Sequence, residues 1–148
     1  MDRRLFLRDE ELDHGVSLIL AAQRQLKATA NDVRRTAGLT QSELELLLAI
    51  RAWPGRTVGE LRDTLFMTVP TFARLLGGLD ERGLVRKNRG AIDGRQRQLN
   101  LSDAADVLLA PIVDVLRDRL RTAYRLAGAE NVAGARAMLD ALTGGEDG

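Results

Sequence analysis

The hydrophobic period of this chain changes at one place, and the position of that change restricts the folds that the chain can adopt. Over most of the sequence, apolar residues recur at three- and four-residue steps, as they do in amphipathic helices. Within residues 84–101 this period gives way to a polar, glycine-containing stretch and then to strict alternation, which predicts a β-hairpin. The sequence therefore predicts a mainly α fold with one small β-hairpin before the last two helices.

The two ends of the chain are predicted to form long helices that pair with a second copy of the chain. The first helix is predicted over residues 9–36, and Gly38 ends it. One face of this helix carries a continuous stripe of Leu12, Val16, Ile19, Gln23, Leu26, Ala30 and Val33. A stripe of this length at a chain end more often packs against a partner helix than against a small core of its own. We therefore expect a dimer interface, to which a long helix capped by Ser102 and a last helix over residues 130–142 contribute.

Two shorter helices are predicted after Gly38, because each begins with a side chain that can cap it. Thr40 or Ser42 caps the first of them. Thr57 caps the second, and Glu60 follows three residues later, which is the pattern of a capping box. The second of these helices is expected to be about ten residues long.

A third short helix is predicted to follow a tight turn. Thr68 caps it, and Pro70 lies in its first turn, where the missing N–H group loses no hydrogen bond. Gly83 ends the helix. Its buried face is predicted to consist of Phe72, Leu75, Leu76 and Leu79.

Positive charge is concentrated in the predicted hairpin. The whole chain has a formal net charge of +1, whereas residues 84–101 contain five cations and a single anion. A local basic surface of this kind is typical of proteins that bind a polyanion. The hairpin is therefore predicted to carry a basic tip.

The residue inventory excludes several classes of function. The chain contains no cysteine and a single histidine, His14, so disulfides, thiolate chemistry and a histidine-rich metal site are excluded. No phosphate-binding glycine loop, dinucleotide fingerprint or zinc-protease motif occurs, which argues against an enzyme and against a cofactor. The first ten residues do not form a signal peptide, and no apolar stretch is long enough for a membrane span. We therefore expect a cytoplasmic protein.

The middle of the chain resembles the MarR family of bacterial transcriptional regulators. Two short helices with a tight turn, followed by an arginine-rich hairpin, form the arrangement of a winged helix-turn-helix. The resemblance covers residues 39–102 and rests on the segments GLT at 38–40, VGEL at 58–61, LDERGLV at 79–85, DGR at 93–95 and QLNLS at 98–102. It implies a homodimer bound to a pseudo-palindromic duplex at the bacterial nucleoid. The implied organisation is residues 1–38 for dimerisation, 39–101 for DNA binding and 102–148 for dimerisation.

The resemblance implies a set of DNA-contacting residues on the recognition helix (residues 68–82) and on the wing. The candidates are Thr68, Val69, Pro70, Thr71, Arg74, Arg86, Lys87, Arg89, Arg95 and Arg97, with Asp93 supporting the wing. Apolar residues in place of polar ones at Val69 and Ala73 indicate sparse base contacts that favour A·T pairs. For each hairpin cation the alternative is ordinary surface charge, and for Arg74 it is an ion pair with Asp93 or Glu81.

Members of this family commonly bind small aromatic effectors, so the resemblance also implies a candidate effector pocket. Trp53 and Tyr124 are the candidates for lining it, and the alternative for each is a place in the core. Two other functions stay open at this point. One is a regulator without an effector, and the other is a winged-helix module that binds an acidic protein rather than a specific DNA sequence. The operator and the sign of regulation are not determined by the sequence.

Overall fold

The structure, a computed structural model, describes residues 4–89 and 97–144. After a short 3-10 turn at Leu5–Leu7, the elements of these residues are α1 (Asp9–Thr36), α2 (Gln41–Ala52), α3 (Val58–Thr64), α4 (Val69–Glu81), β1 (Val85–Arg89), β2 (Arg97–Leu101), α5 (Asp103–Ala127) and α6 (Ala129–Leu142). The two strands form one antiparallel sheet. The prediction of a mainly helical fold with a hairpin before the last two helices is confirmed.

The chain divides into two compact units. One unit consists of Met1–Ala30 and Val113–Gly148, and the other consists of Asn31–Ile112. We call them the helical unit and the winged unit. Helices α1 and α5 each contribute residues to both units.

Local side-chain bonds determine where the short helices of the winged unit begin. The backbone N–H of Glu43 donates to Thr40 Oγ1 at 3.1 Å, and that of Thr40 donates to Glu43 Oε1 at 2.9 Å. Thr57 and Glu60 form the same reciprocal pair at the start of α3. The predicted capping box at Thr57 is thus confirmed, and Thr40, not Ser42, caps α2.

Helix α3 is shorter than predicted. It consists of the seven residues Val58–Thr64 rather than about ten. The residue after its C-cap, Phe66, has a backbone φ of 52°, which is outside the helical region. This change of backbone conformation ends the helix and begins the turn to α4.

The core of the winged unit lies between α2, α4 and the hairpin. Helix α2 packs against α4 and β2, and α4 packs against β1. The predicted buried face of α4 is confirmed, because Phe72, Leu75, Leu76 and Leu79 are all buried. Their partners in the core include Leu46, Leu47, Ile50, Leu61 and Leu99, each of which is fully buried.

The hairpin is bonded to the rest of the winged unit along one of its strands. The register pairs Val85 with Leu101 and Arg89 with Arg97. On the other side of β2, the Gly55 N–H donates to the Leu99 carbonyl at 3.0 Å, and the Leu99 N–H donates to the Arg56 carbonyl at 2.9 Å. Strand β2 therefore has hydrogen-bonding neighbours on both sides.

The helical unit exposes most of its apolar residues within a single chain. Among its described residues, Ala30 and Val113 are the buried apolar ones. The exposed large apolar residues of this unit include Leu12, Val16, Leu18, Leu20, Leu26, Leu120, Leu126, Met138, Leu139 and Leu142. Nowhere in residues 4–89 and 97–144 is there a helix with the length and apolar character that a membrane crossing requires.

Candidate nucleic-acid interface

Helix α4 is buried on one side and exposed along its first turn. Thr68 caps the helix with its hydroxyl, which accepts from the Thr71 N–H at 3.3 Å. Val69 and Pro70 follow, and both are exposed, with Val69 at 61%. Because the opposite face is held in the core, the first turn of α4 has a fixed orientation and is open to a partner.

The two threonines of this turn differ in the hydrogen-bonding capacity that they leave unused. The Thr68 hydroxyl donates to Thr71 Oγ1 at 2.9 Å, so its proton is already committed. The Thr71 hydroxyl accepts that bond and donates to no other residue in the part of the chain that the structure describes. Since a hydroxyl has one proton to donate, Thr71 is the better placed of the two to donate to a phosphate oxygen.

Arg74 is exposed one turn further along α4. Within residues 4–89 and 97–144 it forms no ion pair, so the alternative of a pair with Glu81 is not observed. The other alternative partner, Asp93, lies outside the described residues. Arg74 therefore presents its guanidinium group on the same helix as the exposed first turn.

The start of α4 also differs electrostatically from the other helices. In the part of the chain that the structure describes, α4 is the α-helix whose first turn has no acidic residue. An acidic side chain at this position would interact with the partial positive charge of a helix N-terminus. At α4 that charge is not offset by a carboxylate in the first turn of the helix itself, an arrangement that is compatible with an anionic partner.

Two of the predicted hairpin cations already have partners within the chain. The Arg86 Nε donates to the Leu101 carbonyl at 3.2 Å, and its Nη2 lies 3.4 Å from Asp103 Oδ1. The Lys87 Nζ lies 3.3 Å from Asp80 Oδ2. These contacts join the hairpin to the start of α5 and to α4. Arg86 and Lys87 thus have partners within the chain beside the hairpin.

The remaining hairpin candidates lie nearer to the turn. Arg97 begins β2, and its side chain is exposed. Arg89 ends β1 and is its partner in the register. Arg95 and Asp93, which the sequence places at the wing tip, lie outside the described residues. The described hairpin therefore brings the backbone of Arg89 beside that of Arg97 on the strands that lead to the tip.

Arg82 was not among the predicted site residues, although it connects three segments of the winged unit. Its Nη1 donates to the Gly38 carbonyl at 3.1 Å and lies 3.5 Å from Glu43 Oε2. Its Nη2 donates to the Ala37 carbonyl at 3.5 Å. This one side chain therefore fixes the end of α4 to the end of α1 and to the start of α2.

The Glu43 carboxylate accepts hydrogen bonds from the Thr40 N–H and from Arg82, and these contacts shift its pKa. Burial raises the pKa of the Glu43 carboxyl, but the Thr40 hydrogen bonds and the Arg82 charge outweigh burial. The net result is a pKa below the ordinary value of 4.5. The charged carboxylate therefore stabilises the connection between α1, α2 and α4 at neutral pH.

Phe66 is a second residue that the sequence analysis did not single out as part of the site. It lies in the turn between α3 and α4, and its side chain is 96% exposed. The available signal was its place between two helix patterns, where a small or polar turn residue is usual.

The two candidate effector-binding aromatics lie in different units. Trp53 ends α2 in the winged unit, and the Arg56 guanidinium lies over its ring, 4.7 Å from the ring centroid. Tyr124 lies on α5 in the helical unit, where it lines a groove of about 660 Å³ between α5 and α6. The other lining residues include Arg117, Leu120, Arg121, Arg125 and Arg136. Within the described residues no cluster of three His, Cys, Asp or Glu side chains forms a metal site.

The chain is similar in sequence to known proteins. A model of the MarR family matches residues 37–96. The chain is 33% identical to the HTH-type transcriptional regulator PetP of Rhodobacter capsulatus over 138 residues, which are 93% of this chain and 83% of PetP.

Two solved structures are similar over most of their length. The transcriptional repressor CouR, bound to a 23-mer DNA duplex, has a TM-score of 0.61 and 25% identity over 96% of both chains. NadR, in complex with 4-hydroxyphenylacetate, has a TM-score of 0.74 and 19% identity over 84% of this chain and 89% of NadR. The fold thus has counterparts among solved structures, one of which is a transcriptional repressor bound to DNA.

Proposed function

The chain belongs to the MarR family of winged helix-turn-helix transcriptional regulators, and from that premise we propose that it acts as a homodimer on a pseudo-palindromic operator. It is a DNA-binding regulator and not an enzyme. As such a regulator it works at the bacterial nucleoid, in the cytoplasm. The finer statements concern how each part of the chain contributes.

In the proposed complex, α4 lies in the major groove. The principal support is its exposed first turn, which has no carboxylate and is held in place by the buried opposite face. Thr71 donates to a phosphate, and Arg74 binds a phosphate or a base edge. Val69 and Pro70 offer apolar contacts to thymine methyl groups.

The hairpin lies beside α4 and contacts the neighbouring minor groove. Arg95 is the residue that we assign to that groove, because a narrow minor groove attracts an inserted arginine. Arg89 and Arg97 contact phosphates on either side of it, and Asp93 orients the Arg95 guanidinium. Arg86 and Lys87 act mainly on the position of the hairpin, since both have partners within the chain.

The helical unit supplies the dimer interface. Its exposed apolar residues on α1, α5 and α6 form more uncovered apolar surface than a monomeric protein normally tolerates. A symmetric dimer buries the same surface on both copies. Two winged units then contact half-sites whose centres are about 10 bp apart.

A small aromatic effector is part of the proposal for regulation. NadR binds 4-hydroxyphenylacetate, and the groove beside Tyr124 combines an aromatic ring with arginines that suit a carboxylate. Trp53 remains the second candidate. An effector that favours one spacing of the two winged units alters DNA affinity by a shift of population. A titration of the protein–DNA complex with 4-hydroxyphenylacetate tests this, and unchanged affinity would count against this class of effector.

The decisive experiment is selection of bound duplexes from a random-sequence pool, at two salt concentrations. Recovery of an inverted repeat is the expected result. Recovery of no motif, with binding that disappears at moderate salt, would instead indicate non-specific attraction by the basic hairpin. The interaction-module alternative would then be favoured.

The wing assignment has its own test. Arg95→Ala should weaken binding to the selected duplex without a change in thermal stability. Arg35→Ala is the matched control, because Arg35 is an exposed arginine on α1 that pairs with Asp32 at 2.7 Å. Equal affinities for the parent and the Arg95→Ala variant would remove Arg95 from the interface.

A further inference from the structure

The fold does not explain why an aromatic residue occupies position 66, where the chain has Phe66. Its side chain is 96% exposed, so its ring is almost absent from the core. Among the residues in 4–89 and 97–144, it is the non-glycine residue with a positive φ, at 52°. Glycine or asparagine adopts this left-handed backbone more readily than a phenylalanine does. The ring of Phe66 therefore contributes almost nothing to the stability of the fold, and its backbone conformation is unfavourable.

The backbone around Phe66 is nevertheless held in place. The Phe66 N–H donates to the Asp63 carbonyl at 3.2 Å, and the Met67 N–H donates to the Arg62 carbonyl at 3.2 Å. The turn is thus closed by hydrogen bonds to the end of α3. The ring projects from a fixed point rather than from an unrestrained loop.

That fixed point is continuous with the exposed start of α4. Thr68 caps α4 two residues later, and Val69 is 61% exposed in the first turn. Phe66 and Val69 are three residues apart, so their Cα atoms lie within about 11 Å of each other. Both side chains are therefore exposed apolar groups within one short stretch of chain at the start of α4.

We propose that Phe66 contacts DNA, with its ring packed on deoxyribose carbons and thymine methyl groups at the edge of the groove that α4 enters. This inference rests on the proposed function, which places α4 in that groove. Thymine methyls are the apolar groups of the major groove. An uncharged ring binds them without releasing counterions. Strained backbone that persists at a binding surface is typical of residues kept for function.

If Phe66 has this role, its replacement by glycine should raise the stability of the fold and lower the affinity for DNA. Phe66→Gly should raise the thermal midpoint by about 2–4 °C, because glycine relieves the backbone strain. The same variant should bind the selected duplex about tenfold more weakly. The slope of log affinity against log salt should stay the same, because no phosphate contact is lost.

Val107→Ala is the matched control. Val107 lies on α5 in the same unit and is 75% exposed, so its replacement also removes exposed apolar surface. Its affinity for the duplex should equal that of the parent chain. A loss of affinity common to both variants would show a general effect of apolar surface and would overturn the proposal.

Two further outcomes would overturn the proposal. If Phe66→Gly binds the duplex as tightly as the parent chain, Phe66 does not contact DNA. Contact of the ring with a partner protein would then be favoured. A lower thermal midpoint would show that the ring supports the fold.

Arg74→Ala separates this inference from the proposed function. If Arg74→Ala weakens duplex binding and Phe66→Gly does not, only the inference about Phe66 fails. If the parent chain shows no preference for any duplex, the proposed function fails, and the inference fails with it.

Discussion

The winged unit and the helical unit differ in where their apolar residues find partners. Nineteen apolar residues of the described chain are buried, and all of them except Ala30 and Val113 belong to the winged unit. The helical unit has long helices with apolar residues on them, yet its described residues contain almost no core. One unit therefore obtains its stability from its own residues, and the other requires a second surface.

This difference indicates that the two units respond differently to protein concentration. Burial of apolar surface contributes roughly 25 cal/mol per Å², and the winged unit gains this within one chain. In the proposed dimer the helical unit gains this on association, so its gain depends on protein concentration. Four substitutions test this difference, from the largest expected effect to the smallest.

The largest effect is expected at the surface of α1. Val16 is 58% exposed in one chain, and the proposed dimer would bury it on both copies. Val16→Asp therefore places a carboxylate in the proposed interface on each copy. Burial of an unpaired charge costs several kcal/mol, so the dissociation constant of the dimer should rise more than about a thousandfold. Sedimentation equilibrium should then give the mass of one chain, 16.2 kDa.

Gln25→Asp is the control for this variant, because Gln25 is exposed on the same helix outside the predicted stripe. It should leave the dimer intact. If Val16→Asp also remains a dimer, α1 does not supply the interface and the comparison between the units fails.

A large effect on folding is expected in the core of the winged unit. Leu46 is fully buried, and Leu46→Ala should lower the free energy of unfolding by about 3 kcal/mol because a cavity remains. Val107→Ala, at an exposed site of the same unit, should change the free energy of unfolding by less than about 0.5 kcal/mol. Urea unfolding at one protein concentration measures both. Similar losses for the two variants would show that burial in this unit does not determine its stability.

An intermediate effect is expected on DNA binding. Arg74→Ala should lower the affinity for the selected duplex about thirtyfold, or about 2 kcal/mol, through the loss of one contact on α4. Its dimer mass and its urea midpoint should stay unchanged. Fluorescence anisotropy of a labelled duplex gives the affinity, with Arg35→Ala as the control. A dimer defect in Arg74→Ala would contradict the separation of DNA binding from association.

The smallest effect concerns the pH dependence of the winged unit. The pKa of Glu43 is lowered on folding, so the charged carboxylate stabilises the fold above its ordinary pKa of 4.5. This contribution is lost as the pH falls through the lowered pKa of the folded state. Glu43→Gln should therefore be less stable than the parent by about 0.5 kcal/mol at neutral pH.

The difference between the parent and Glu43→Gln should close in acid, where the parent carboxyl is also neutral. Urea unfolding of both chains across this pH range measures it. A difference that stays constant down to acidic pH would show that the charge of Glu43 is not the cause. The loss would then be due to the changed hydrogen bond to Thr40.

Local features of the fold were predictable from the sequence. The caps at Thr57 and Thr68 involve partners three residues away, so sequence spacing indicates them, whereas the choice of Thr40 over Ser42 at α2 needed the structure. The buried face of α4 follows in the same way from helical periodicity. For these features, the neighbours in sequence are also the neighbours in space.

Long-range contacts of the site were not predictable in this way. Arg82 and Gly38 are 44 positions apart, and no spacing rule connects them. Lys87 was predicted as a phosphate contact because its charge was evident, but the nearby carboxylate of Asp80 became evident only with the fold. The exposure of Phe66 likewise depends on a backbone conformation that a composition rule does not predict.

The bonding of β2 on both sides has a consequence for the behaviour of the chain without DNA. An unpaired strand edge is a template on which other chains add strands and aggregate. The segment containing Gly55 and Arg56 covers one edge of β2, which leaves β1 as the outer strand in the described part of the hairpin. That strand carries Arg86 and Lys87, and cationic residues on an outer strand disfavour the addition of another. The basic composition of β1 thus also keeps unbound copies from joining edge to edge.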